Sequence, residues 1–126
     1  MSTAGEETSI DQQAPIVQYI VVRTDLKWSQ GAMIAQACHA SIASITRNLE
    51  SPATKKYLGD LTNMHKVVLR AETVEDLTKT ESSLQEANIP CHMWIEQPEN
   101  IPTCLACSPQ PKALVQGIFR HLKLLR

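Results

Sequence analysis

Two side chains suited to moving protons and directing hydrogen bonds, Gln36 and His39, stand three residues apart in Gln30–Ser41, QGAMIAQACHAS. That spacing puts them on one face of a helix. A carboxamide offers both donors and an acceptor, and an imidazole changes charge near neutral pH. Such a pair could orient a water molecule, with His39 as general base and Gln36 beside it. The surroundings are small: Gly31, Ala32, Ala35, Ala37, Cys38, Ala40 and Ala43. A helix so lined can lie close on a sheet and hold its polar side chains firmly. The competing reading of His39 is a half-buried imidazole bonded to backbone or to a neighbour. It lies about 14 Å along the helix axis, so it reaches a site at the strand ends only from the side.

The elements that must position these groups follow from the hydrophobic pattern. Ile16–Arg23, IVQYIVVR, reads as a strand buried on both faces. Ser29 caps a first helix that runs to about Leu49, with Ile34, Cys38, Ile42 and Ile45 as its core stripe. Ser51-Pro52 starts a second helix, with Ala53, Tyr57, Leu58 and Leu61 facing inward. Lys66–Leu69 is a second strand. Thr73 and Asp76 open a third helix, whose apolar positions are Val74, Leu77, Leu84 and Ala87 and whose end fits Asn88. Ile89–Ile95 and Thr103–Cys107 pair as a hairpin. Ser108-Pro109 opens a last helix with Leu114, Ile118, Phe119 and Leu122 inward. The order β-α-α-β-α-β-β-α predicts an α/β domain, three-layer α/β/α, around a four-stranded mixed sheet. It spans residues 15–126 and follows a disordered acidic tail at 1–14.

Ligands of such sheets bind beyond the carboxyl ends of the parallel strands. With the third strand parallel to the first, one rim collects Asp25, Lys27, Gln30, Glu96, Asn100 and Thr103. Glu96 could orient a water, Thr103 could donate to an oxyanion, and Lys27 supplies a cation. Trp28 and Trp94 flank this rim; packing is the default for both, base stacking the rarer use. Arg120, His121, Lys123 and Arg126 make a basic end. The helix dipole accounts for it, and it also suits phosphate contacts.

Composition narrows the classes. A chain of 126 residues, 43% hydrophobic, suits one domain with a single core. Its apolar runs are too short to span a bilayer, and its start carries neither a hydrophobic signal core nor a basic presequence, so no membrane partner and a cytoplasmic location are expected. The thiols of Cys38, Cys91, Cys104 and Cys107 are expected to be reduced. Residues i and i+3 of a strand point to opposite faces, so Cys104 and Cys107 would chelate metal poorly. They read as small core residues, and neither metal nor cofactor is expected. The net charge of −1 leaves no global nucleic-acid footprint. Residues 1–15 hold Glu6, Glu7 and Asp11 and no Lys or Arg, which leaves the body at about +2.

Set in sequence, Arg23-x-Asp25-Leu26-Lys27, then Gly31, then Ala35-Gln36-x-x-His39-Ala40 resembles the type 2, archaeal and eukaryotic, peptidyl-tRNA hydrolase family. The closing Arg120-His121-Leu122-Lys123-Leu124 is similar to that family's G-H-L-K-L. Trp28–Ala40 and Trp94–Ile101 resemble a divergent eukaryotic branch, and the likeness covers residues 16–126. It implies a compact α/β/α domain, often a homodimer, that cleaves the ester between a peptide and the terminal ribose of tRNA without metal. It implies His39, Glu96 and Thr103 as catalytic groups, and Asp25, Lys27, Gln30, Gln36 and Asn100 as substrate contacts. Lys27, Arg23 and the basic C-terminus would place the tRNA. The chain departs from the family pattern where two lysines become Gln30 and Ala32. It departs again in a shortened loop whose aspartate aligns with Glu96 and whose threonine aligns with Thr103, and at Cys107-Ser108-Pro109 in place of a Gly-rich turn. A non-catalytic tRNA- or protein-binding module, and an esterase or amidase on another substrate, are the rival readings.

Overall fold

Ile16–Arg23 forms β1, the middle of the sheet, and all but Arg23 of its residues are buried, as its unbroken apolar run requires. The computed structural model describes residues 14–126, so the expected tail falls, Ala14 apart, outside the described residues. After β1 come α1 (Gln30–Thr46), α2 (Pro52–Leu58), β2 (His65–Ala71), α3 (Val74–Glu86), β3 (Cys91–Glu96) and β4 (Ile101–Cys107). The chain closes with β5 (Gln110–Pro111), α4 (Lys112–Phe119) and β6 (Lys123–Leu124). The sheet runs β3-β4-β1-β2-β6, with β5 also paired to β1. β2 is parallel to β1, and β4 is antiparallel to both β1 and β3. β3 therefore runs parallel to β1.

The sheet is mixed as expected, but it has six strands, not four. β5 and β6 have two residues each, too short to carry a period in sequence. They exist through distant pairing: Pro111 and Gln110 with Ile16 and Val17, and Leu124 and Lys123 with Leu69 and Arg70. Because Gln110-Pro111 is drawn into the sheet, α4 begins at Lys112 rather than at Ser108. Its buried face is Val115 and Phe119, while Leu114 is 59% exposed.

Helices cover both faces. On one, Leu77 and Leu84 of α3 and Val115 and Phe119 of α4 pack over Val17, Tyr19, Val21 and Leu69. On the other, Ala40 of α1 packs over Ile20, Val22, Cys104 and Ala106, and Ile45 joins Ile16, Ala53 and Tyr57. Local signals hold at α3: Thr73 Oγ1 accepts from the Asp76 amide, and Asn88 takes a left-handed φ of 58° past the helix end.

The inward face of α1 departs from expectation. Of the four residues of its expected stripe only Ile45 is buried; Cys38 is exposed, and Ile34 and Ile42 are 56% and 58% exposed. The buried positions are Gln36, Ala40, Ser41, Ser44 and Ile45. Small side chains let the helix backbone approach the sheet, and the large isoleucines turn away. The polar groups brought inside need partners. Ser41 Oγ donates to Gln18 Oε1 at 2.6 Å, and Gln18 Nε2 donates to the Ser41 carbonyl at 3.2 Å. Lys66 Nζ donates to Gln18 Oε1, Ser41 Oγ and Tyr57 OH, and burial pulls its pKa down.

Cys104 lies with Ile20 and Ala40, and Cys107 with Tyr19 on the opposite face. Burial pushes both thiols up, and no group of three or more metal-binding side chains occurs among the described residues. Among those residues, no helix is long and apolar enough to cross a membrane.

Candidate active site on one flank of α1

The parallel course of β3 and β1 brings the ends of both strands, and the start of β4, to one edge. The β3/β4 register slips there: Trp94 pairs with Cys104, but Ile95 pairs with Pro102, leaving Thr103 as an extra residue. Strict alternation would send Thr103 to the face of Leu105 and Cys107. The bulge turns it instead toward α1. Its hydroxyl donates to Gln36 Oε1 at 2.8 Å, with both residues buried. In the structure the Thr103 hydroxyl, expected as an oxyanion donor, has its proton directed at Gln36.

From Gln36 the chain of contacts runs outward. The Gln36 carboxamide faces Glu96 and favours its ionised form, and Glu96 Oε1 accepts from Trp94 Nε1 at 2.9 Å. The Trp94 bond, then Gln36, then the charge of His39 hold the Glu96 carboxyl below its usual range. Glu96 is therefore ionised at neutral pH and accepts hydrogen bonds. His39 is exposed, not half-buried, and its ring stacks on Trp94 with centroids 4.7 Å apart and planes 24° apart. Its depth along α1 is no obstacle, because α1 crosses β3 side by side. Gln36, His39, Glu96 and Thr103 are thus gathered from three elements. Trp94, expected beside this rim as a packing residue, is a further member. Its signal was the i, i+2 spacing to Glu96, which on a strand puts both on one face.

The other expected residues stand differently. Asp25 is locked to Arg23, accepting from Nε at 3.0 Å and from Nη2 at 2.8 Å. That pairing holds the Asp25 carboxyl below its usual range. Arg23 Nη1 also donates to the Pro102 carbonyl, so the pair braces the edge beside Thr103. Asn100 closes the β3–β4 turn at a φ of 57°, its amide donating to the Glu96 carbonyl at 2.7 Å. Lys27 is exposed in the loop before α1. Gln30 lies on the other flank of α1, in an apolar groove of about 550 Å³ lined by Met33, Ile34, Cys38, Ile42, Val68 and Leu125.

With this geometry in place, comparison with known proteins is informative. The model of the family described as peptidyl-tRNA hydrolase PTH2 matches residues 16–125. The chain belongs to this family. A mouse protein named "Putative peptidyl-tRNA hydrolase PTRHD1" is 40% identical over all of this chain and 90% of its own length. Its human counterpart is 39% identical over the same shares. A "Peptidyl-tRNA hydrolase" of Methanothermobacter thermautotrophicus is 33% identical over 86% of this chain and 98% of its own. The match spans β1 to the C-terminal strand, so the PTH2 fold accounts for nearly all the described structure.

Proposed function

We propose that this protein hydrolyses the ester joining a peptide to the terminal ribose of tRNA, working in the cytoplasm with translation. The observation that carries the reading is the linked set Thr103–Gln36–Glu96 beside His39, within a PTH2-family chain. Glu96 and His39 hold a water, and His39 takes its proton as the oxygen attacks the ester carbonyl. The pair of electrons of the cleaved C–O bond leaves on the ribose oxygen, which His39 reprotonates. Gln36 is the buried carboxamide that keeps Glu96 aimed, and Thr103 acts through Gln36. Asp25 acts through Arg23 and Asn100 through the turn, while Lys27 and the basic residues Arg120, His121 and Lys123 meet phosphates. The assay is release of peptide from N-blocked aminoacyl-tRNA by the purified protein and by H39A. Turnover at background, with tRNA bound in a salt-dependent way, would leave the non-catalytic binder.

Ala32 lies one turn before Gln36, so both fall on one face of α1. The resemblance puts the family lysine at this position. A lysine there returns a cation beside the carbonyl, where developing negative charge is stabilised. A32K is expected to raise kcat/KM roughly tenfold or more. An unchanged value would mean that this cation does not limit the reaction.

The family's homodimer is supported by the other flank of α1. Ile34, Cys38 and Ile42 recur at i, i+4, i+8 and are exposed, and beside them Val68 and Leu125 line an open groove. Ridge and groove share one patch, so two copies related by a two-fold axis can fill each other's. I42D is expected to convert a dimer to a monomer in sedimentation; a wild-type chain that already sediments as a monomer would dispose of the dimer.

A further inference from the structure

Trp94 touches more of the candidate chemistry than any residue expected from sequence. Its indole N–H donates to Glu96 Oε1 at 2.9 Å. Its ring face lies on His39, and its carbonyl lies 3.5 Å from the Thr103 hydroxyl. His92, two residues earlier on the same strand face, tilts against the indole with centroids 6.2 Å apart. A carboxylate on an exposed strand end and an imidazole on an exposed helix flank would otherwise sample many rotamers. A rigid two-ring side chain bonded to one and stacked on the other removes that freedom from both.

We infer that Trp94 is the positioning residue of this site, its N–H fixing the Glu96 carboxylate and its ring plane fixing the His39 imidazole. The inference rests on the hydrolase reading for its consequence, though not for its geometry. It also gives a physical account of how a site with Ala32 in place of a cation orients its carboxylate. The donors that favour the ionised Glu96, Trp94 Nε1, the Gln36 carboxamide and the Gln97 backbone amide, are all neutral. Among the described residues, the charged or titratable groups about the cluster include His39 from α1, His92 from β3, Cys104 from β4 against Trp94, and the Arg23–Asp25 pair on the Pro102 carbonyl, with Arg47 of the loop after α1 near His92.

The test separates the two roles. W94F keeps a ring against His39 and removes the N–H donor; W94L removes both. Carbon-detected NMR titration of Glu96 needs no turnover. Its midpoint is expected to move up toward the ordinary carboxylate range in W94F, because the donor to the ionised form is gone. The His39 ring protons are expected to keep their ring-current shift in W94F and lose it in W94L. In kinetics, W94F should lower kcat several-fold with KM little changed. An unmoved Glu96 midpoint and unmoved His39 shifts in both folded variants would overturn the inference. If both spectroscopic changes occur while H39A and E96Q keep full turnover, positioning stands and the hydrolase assignment of these two groups fails.

Discussion

Glu96→Gln is expected to reduce kcat/KM for peptide release by about 10²-fold or more, the usual range for a misassigned proton or water partner. The substitution keeps the shape of the side chain. Its carbonyl oxygen can still accept from Trp94 Nε1, so the β3 edge should hold its geometry. What disappears is the negative charge that water and His39 face. The loss should fall on kcat more than on KM, because the charge is used only when water attacks. The pH profile supplies the sign. The Glu96 pKa is lowered, first by the Trp94 hydrogen bond and then by Gln36 and His39. A carboxyl with a lowered pKa stays ionised above that value and is lost as pH falls through it. The Glu96 carboxyl should therefore stay ionised through the ordinary carboxylate range and protonate only below it in a carbon-detected NMR titration, and E96Q should lack that transition. Turnover equal to wild type in a folded E96Q protein would remove Glu96 from the mechanism.

Phe119→Ala is expected to cost about 3–5 kcal/mol of folding stability. Phe119 is 2% exposed and stacks on Tyr19, with ring centroids 4.3 Å apart and planes 4° apart. It ties α4 to β1, so its removal opens a cavity bounded by Leu77, Leu84 and Val115. Against a total of about 5–15 kcal/mol for a domain of this size, the variant should be near unfolding at ambient temperature. Urea denaturation measures it as a lower midpoint with an unchanged slope. Leu114→Ala is the control: at 59% exposure it should change stability by about 0.5 kcal/mol or less. The two together check the register of α4. A large loss at Leu114 and a small one at Phe119 would mean that the helix turns its other face to the sheet.

Several elements were legible in the residues because their causes are local. The β-branched run of β1 needs only its own neighbours to read as a buried strand. Thr73 as cap, Asn88 as left-handed terminator and Pro52 in a first turn each act within four residues. The reading of Cys104 and Cys107 as opposed core thiols needed only the period of a strand. The order of motifs from Arg23 to His39, and again from Trp94 to Ile101, was enough to point to the family.

Other features depended on packing between distant parts. Which face of α1 turns inward was decided by how closely a backbone lined with Ala and Ser can approach β1 and β4. Hydrophobicity favoured the isoleucines, and close approach left them outside. Whether Thr103 meets Gln36 was decided by one extra residue in the β3/β4 register, across a separation of 67 positions. β5 and β6 are strands only because β1 and β2 present edges to them, and that pairing moved the start of α4. The sequence by itself determined the four longer strands and the four helices, the family, and the residues able to do chemistry. The tertiary structure alone decided that Trp94 is bonded to Glu96 and stacked on His39, that Gln30 lies on the other flank of α1, and that an apolar flank stays open. Caps and periods act through neighbouring residues, whereas facing and register are set by the balance of contacts summed over the whole fold.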